Sequence, residues 1–304
     1  MNITDLCEDA FLHIITFLDV RAWIMLLKTC KAINEYKGST IANKDKLFRL
    51  RATADYFDLK KAFVGNFDDL CVNANKYRGK LDLLMGARYL KLTRCDDGRL
   101  SCIDVYRLHT LDISSNYQIT DGGLVHLKGI RSLDISDCHR ITNNGMKHIA
   151  GIHTLKFATS KLLTDDGLAF IKGVQNLDIS NCYNITNKGL LHIADVHTLN
   201  VSYCYSITDD GLSCLKNVHT LNLHCCSSIT DAGLKHLKGV KILDISNCVR
   251  VTDEGLLHLE SVKILDVSGC WRITDLGMMK LEGVKIKKPN SEELHLLESN
   301  PEGV

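Results

Sequence analysis

In the segment Thr110-Leu111-Asp112-Ile113-Ser114, apolar and polar residues alternate with period two. This predicts a short strand with Leu111 and Ile113 on one face and the polar side chains on the other. The same alternation returns at a constant step: Leu111, Leu133, Leu155, Leu177, Leu199, Leu221, Leu243 and Leu265 fall in one column, 22 residues apart, with no insertion or deletion. After each strand comes an Ile-Thr-Asp-x-Gly-Leu stretch. Thr120, Thr142, Thr164 and their equivalents are placed to cap a helix, and the Asp or Asn that follows suits a helix start. Gly123 and its counterparts are expected where two backbone segments approach closely, and an apolar pair such as Leu124 and Leu127 marks a short outer helix. A chain of identical strand–loop–helix units predicts stacked coils, their strands paired in parallel into one sheet along the inner curve.

The ninth position of the unit holds Cys138, Cys182, Cys204, Cys226, Cys248 and Cys270, with Asn116 and Ser160 in two units. All are small and able to donate a hydrogen bond, as is needed where a chain leaves a strand with carbonyls to satisfy. A line of stacked rungs does not bring four ligands to one point, so no metal site is expected from this column. The whole pattern, (V/I/L)-x-x-L-(D/N)-(I/V/L)-S-x-C-x-x-(I/V)-T-(D/N)-x-G-(L/M)-x-x-(L/I), is similar to the cysteine-containing subtype of the leucine-rich-repeat family over roughly two-thirds of the chain. The expected fold is therefore an α/β leucine-rich-repeat solenoid, with a parallel sheet on the concave face and short helices on the convex face. Ala87, Leu90, Leu92 and Cys95 fit a degenerate first unit, which places the solenoid at 87–288. At its far end Val284-Lys285-Ile286 begins a last strand that Pro289 stops, leaving 289–304 as a C-terminal capping tail.

The segment ahead of the repeats follows a different period. Asp5 and Glu8 have capping-box spacing, and Leu6, Ala10, Ile14, Phe17 and Leu18 recur at helical intervals. Asp19 is placed to cap a second helix from Trp23 to Cys30, and Gly38 to end a third. A small all-α bundle over 1–50 results, followed by 51–86 as a helical linker or N-terminal cap. The run from Leu6-Cys7-Glu8-Asp9 through Phe17-Leu18-Asp19, with Leu26-Leu27-Lys28-Thr29-Cys30-Lys31, resembles an F-box, and Lys46-Leu47-Phe48-Arg49-Leu50 resembles the segment that follows one. That resemblance implies docking onto a Skp-type adaptor and, through it, a cullin–RING ubiquitin ligase. Leu6, Phe11, Ile14, Phe17 and Leu18 are the implied adaptor contacts, through an apolar helical surface buried against partner helices. The same residues could instead form the bundle's own core.

Composition narrows the classes further. Lys and Arg number 37 against 36 Asp and Glu, so no basic field points to nucleic acid or to anionic lipid, and a protein partner is expected. Asp5, Glu8 and Asp9 interrupt the first apolar stretch, which argues against a signal peptide or membrane anchor. Thirteen cysteines then read as reduced thiols in the cytoplasm or nucleus.

The candidate chemistry is mostly absorbed by the repeat. His126, His148, His192, His236 and His258 recur on the outer helix, and His109, His153, His197 and His219 at the strand start, as copied scaffold positions. With no nucleophile–base pair outside the periodic pattern, no phosphate loop and no HExxH, neither a cofactor nor an enzymatic role is expected. The column Asp112, Asp134, Lys156, Asp178, Asn200, Asn222, Asp244, Asp266 is either an acidic floor for a basic peptide or a solvated polar face. More informative are units that break their own consensus. Lys156, Phe157 and Ala158 replace Asp-Ile-Ser, and His224 replaces serine. Tyr183, Tyr203, Tyr205 and Trp271 add aromatic side chains of the kind enriched at binding hot spots. Lys156, Tyr183, Tyr203, Tyr205, His224 and Trp271 are the expected partner-binding residues. Two functions fit: a substrate receptor of a Skp–cullin–F-box ligase, or a binding scaffold or decoy that sequesters a partner or the adaptor without ubiquitin transfer.

Overall fold

The computed structural model describes residues 50–52, 69–73, 89–103, 105, 108–281 and 283–287. The F-box-like bundle, with Leu6, Phe11, Ile14, Phe17 and Leu18, lies outside the described residues, as does the expected capping tail 289–304.

Twelve strands form one parallel sheet in strict chain order. They are β1 Leu50–Ala52, β2 Asp69–Asn73, β3 Tyr89–Thr93, β4 Thr110–Asp112, β5 Ser132–Asp134, β6 Thr154–Lys156, β7 Asn176–Asp178, β8 Thr198–Asn200, β9 Thr220–Asn222, β10 Ile242–Asp244, β11 Ile264–Asp266 and β12 Lys285–Lys287. Register is uniform: Leu111 lies opposite Leu133, Leu133 opposite Leu155, and so on to Leu265 opposite Ile286. The alternation read from the sequence is realised, since any one-residue slip would turn every core leucine to the open face.

The sheet begins earlier than the repeat pattern indicated. The segment 51–86, expected as a helical linker or cap, contributes β2 and most of β1, with Leu50 opposite Leu70 and Leu70 opposite Leu90. These turns lack the Ile-Thr-Asp signal, so only their strand alternation marks them.

Each later unit crosses to the convex side through one helical turn. The first of these are α1 Asp97–Leu100, α2 Asp121–Leu124, α3 Asn143–Met146 and α4 Asp165–Leu168. In several units a 3₁₀ turn follows, as at Val125–Leu127. The threonines are the helix caps: the Gly122 N–H donates to Thr120 Oγ1, and Asn144 N–H to Thr142 Oγ1. Between sheet and helices runs one continuous core in which Leu111, Ile113, Ile119, Leu124 and Leu127 of a typical unit are fully buried.

A second ladder joins the turns on the helical side. The Thr142 N–H donates to Asp121 Oδ1 at 2.7 Å and the Thr142 hydroxyl to Asp121 Oδ2 at 2.6 Å. Equivalent pairs run from Asp97–Thr120 to Asp253–Thr274. Gly123 and its counterparts sit beneath this ladder: a Cβ on Gly145 would meet Asp121 Oδ1 at 2.6 Å. The glycines do mark a close approach, but to the Asp or Asn side chain of the preceding turn rather than to a second backbone segment as expected. Where the ladder residue is asparagine, the polarity of its second bond reverses. Asn143 Nδ2 and Asn187 Nδ2 donate to the hydroxyls of Thr164 and Thr208, and these two threonines make no cap bond to their own helices.

Candidate functional site: the concave face and its rim

The strand ends in a fixed turn. In the column Asp112, Asp134, Asp178, Asn200, Asn222, Asp244, Asp266, each side-chain Oδ1 accepts the backbone N–H two residues on, as from Ser136 to Asp134 at 2.9 Å and from His224 to Asn222 at 2.8 Å. The next residue takes a left-handed conformation in every turn, from Arg94 at φ 55° to Asn247 at φ 58°. Then the cysteine column closes the turn by donating to a carbonyl of the preceding unit: Cys138 to Ile113 O at 3.2 Å, Cys226 to Val201 O at 3.3 Å, Cys270 to Ile245 O at 3.0 Å. Asn116 does the same work for Leu92 O and Ile113 O.

The electrostatics follow from this geometry. Burial, with smaller contributions from neighbouring carboxylates, pushes the column thiols up, to about 12 for Cys138, Cys182 and Cys226 and about 11 for Cys204 and Cys270. They are inert donors. Desolvation likewise raises Asp134 and Asp244. Asp112 is buried too, but hydrogen bonds from Lys91, Ser114 and Tyr89 outweigh the desolvation and hold it below the ordinary carboxylate range. Its ion pair with Lys91 is 2.6 Å long. One oxygen of each side chain in this column is thus occupied by the chain's own backbone amide.

The expected partner-binding residues divide into a cluster and two outliers. Tyr203 and His224 meet edge-on, ring centroids 5.0 Å apart, and Tyr183 stacks on Tyr205 at 5.9 Å and 4°. Tyr203 occupies the left-handed position at φ 60°, where Asp, Asn, Ser, Thr or Gly stands in most other units. Such a backbone costs a bulky residue about 1 kcal/mol or more, which sets Tyr203 apart from the small residues of its column. Lys156 is exposed and registers between Asp134 and Asp178. Without a carboxylate there, the Ala158 N–H turns to Ser136 Oγ at 3.3 Å. Phe157, the third member of that exception, is fully buried and fills core. Trp271 lies three units beyond Tyr205, 73% exposed, with the Arg272 guanidinium 5.4 Å from its ring centre. At roughly 4.8 Å per strand, neither Lys156 nor Trp271 touches the tyrosine–histidine cluster.

Three further features lie along the columns of the repeat and carry no motif of their own. Tyr117 and His139 stack at 5.7 Å in the same rim column as Tyr183, Tyr205 and Trp271. His197 and His219 stack at 4.8 Å at the strand start, where burial, His197, Lys241 and Lys263 together lower the His219 pKa. Cys225 belongs to the Tyr203–His224 cluster, its Sγ 3.3 Å from His224 Nε2. Among the described residues no group of three His, Cys, Asp or Glu side chains could hold a metal ion, and no helix is long and apolar enough to cross a membrane.

Comparison with known proteins bears on the repeat alone. A family profile described as Leucine Rich repeat matches residues 130–150, 195–216, 240–259 and 258–281. No curated protein matches the chain. Among solved structures, the chain is similar to one from the Rad7 and Elc1 complex in yeast, at 15% identity and a TM-score of 0.49, covering 74% of this chain and 75% of that one. An internalin of Listeria monocytogenes gives 15% identity and a TM-score of 0.48 over 74% and 72% of the two chains. A chain of the TLR13–ssRNA13 complex gives 15% and 0.49 over 66% of this chain and 32% of that one. With its parallel sheet, its convex helical turns and the matched repeat profile, the chain's fold is a leucine-rich-repeat solenoid.

Proposed function

We propose that this chain is the substrate-recognition subunit of a Skp–cullin–F-box type ubiquitin ligase, with the N-terminal bundle holding the adaptor and the concave side of the solenoid holding a target protein. One observation carries the recognition half: in an array of near-identical turns, Tyr203, His224 and Cys225 all depart from the repeat and meet in space beside the Tyr183–Tyr205 stack. Aromatic side chains grouped on one rim are the usual anchors of a protein interface. The adaptor half rests on the F-box resemblance of residues 6–31, with Leu6, Phe11, Ile14, Phe17 and Leu18 as the contacts. The chain performs no bond-making in ubiquitin transfer and needs no cofactor; it brings ligase and target together in the cytoplasm or nucleus.

A second reading, a scaffold or decoy, has its own observation. Cys7, Ala10 and Ile33 stand where the F-box pattern commonly has proline, a larger aliphatic residue and tryptophan. Reconstitution separates the two. A receptor, assembled with a Skp-type adaptor, cullin and RING protein, transfers ubiquitin to a partner captured by the solenoid. A decoy binds the adaptor or partner and yields no conjugate. A chain that binds no Skp-type adaptor overturns both the receptor reading and the adaptor-sequestering one.

A further inference from the structure

The cluster at the strand ends of β8–β10 contains a proton relay. The Ser246 hydroxyl donates to Asp244 Oδ1, whose carboxylate also takes the Ser246 N–H at 2.9 Å. With its hydrogen committed there, Ser246 Oγ faces His224 Nδ1 at 2.6 Å as an acceptor, so Nδ1 carries the ring proton. The lone pair of Nε2 therefore points at the other two members, Tyr203 Oη at 3.0 Å and Cys225 Sγ at 3.3 Å. His224 Nε2 is thereby placed to take the Cys225 proton, after which Nε2–H donates to sulfur and Nδ1–H keeps Ser246.

Cys225 differs in this from the other described thiols. The column cysteines donate to carbonyls inside the core, and Cys102 and Cys214 have only a distant serine hydroxyl, 3.9 Å away, as side-chain partner. Cys225 is half-buried at the surface of the turn rather than sealed in the core. All three residues that build the cluster break their columns: in the other regular units the Tyr203 and Cys225 column holds Ser115, Asp137, Thr159, Asn181, Asn247 and Gly269, and the His224 column holds serine or alanine. The relay is absent from the repeat and belongs to this place.

We propose that Cys225 is a nucleophilic thiol, activated by His224 through the Ser246–Asp244 relay, and that it is a site of covalent modification by small disulfides. In the step, the Cys225 proton passes to His224 Nε2 and the thiolate attacks one sulfur of the disulfide. The new S–S bond forms as the old one breaks, and the departing thiolate takes the proton from the imidazolium. No further oxidant enters, and the chemistry is independent of what the concave face binds. The Tyr203 hydroxyl stays protonated beside the thiolate, because the nearby Cys225 charge, burial and the tyrosines Tyr205 and Tyr183 all raise its pKa.

The intact chain is treated with limiting iodoacetamide near pH 7, and alkylation at Cys102, Cys214 and Cys225 is followed by peptide mass spectrometry. Cys225 is expected to react about tenfold faster than the other two, because it alone has an imidazole nitrogen within reach to take its proton. His224→Ser restores the repeat consensus and removes the advantage, and Ser246→Ala, which copies Ala158, reduces it. Oxidised glutathione forms a mixed disulfide on the Cys225 peptide that dithiothreitol reverses. Equal rates at the three cysteines, an undiminished rate in His224→Ser with the circular dichroism unchanged, or no glutathione adduct at Cys225 would overturn the proposal.

Discussion

At the scale of single residues, two aspartates of one column respond to pH in opposite ways. Asp134 has its pKa raised by burial, so the folded state binds its proton more tightly than the unfolded chain and loses stability as pH rises through the folded pKa. Asp134→Asn keeps Oδ1 as acceptor for the Ser136 N–H, as Asn200 does for Ser202. The variant is expected to be more stable than the parent near pH 7, with the difference vanishing below the unfolded carboxylate pKa of about 4. Urea midpoints at the two pH values check this. Asp112, held down by Lys91, Ser114 and Tyr89 against its burial, has the opposite sign: its contribution is present near neutrality and is lost as pH falls through its depressed pKa. The cysteine column offers a sharper contrast. Cys226→Ser should be mild, since a hydroxyl still donates to Val201 O, whereas Cys226→Ala removes that bond and leaves the carbonyl with the Cys204 N–H alone, at a cost of about 1 kcal/mol in urea unfolding. The donor role of this column was legible in the sequence, because small donors alone fit that spacing. The role of the aspartates was not, because alternation tells only that a residue faces outward and is silent on whether water or a backbone amide meets it.

At the scale of elements, the solenoid is held by two ladders, the sheet and the Asp/Asn-to-Thr chain behind it. Each rung of the second ladder links one unit to the next, as Asp231 does by accepting both the N–H and the hydroxyl of Thr252 at 2.8 Å. Asp231→Ala is expected to lower unfolding free energy by about 1–3 kcal/mol, read by denaturant titration, because a buried-side amide loses its acceptor. Gly255→Ala attacks the same rung from below, since its Cβ would collide with the Asp231 carboxylate, and should cost about the same. Because both variants break one rung, their effects should fall short of additive in the double variant. The strands and most helix caps of the eight regular units were predictable, since local propensity and period agree there, but not the loss of the cap bond at Thr164 and Thr208, where an asparagine in the preceding turn takes the hydroxyl. Strands β1 and β2 were not. Their turns are two residues shorter than the regular unit, as the pairing of Leu50 with Leu70 and Leu70 with Leu90 shows, and they lack the capping signal that sets the period.

At the scale of the whole molecule, target binding is proposed for the places where the repeat is broken and adaptor docking for the segment outside it. Regularity made the fold legible and, for the same reason, made most cysteines and histidines uninformative about function. The cluster of Tyr203, His224 and Cys225 was only half visible: substitution against consensus marked Tyr203 and His224, while their convergence and the inclusion of Cys225 required the register of adjacent strands. The most direct test of the central claim is a co-purification of the full chain with a Skp-type adaptor, the complex sized by light scattering. A stoichiometric complex is predicted for the wild type, with Ile14→Asp abolishing it while the solenoid's circular dichroism is unchanged. No complex with the wild type, or an equally strong one with Ile14→Asp, would contradict the account.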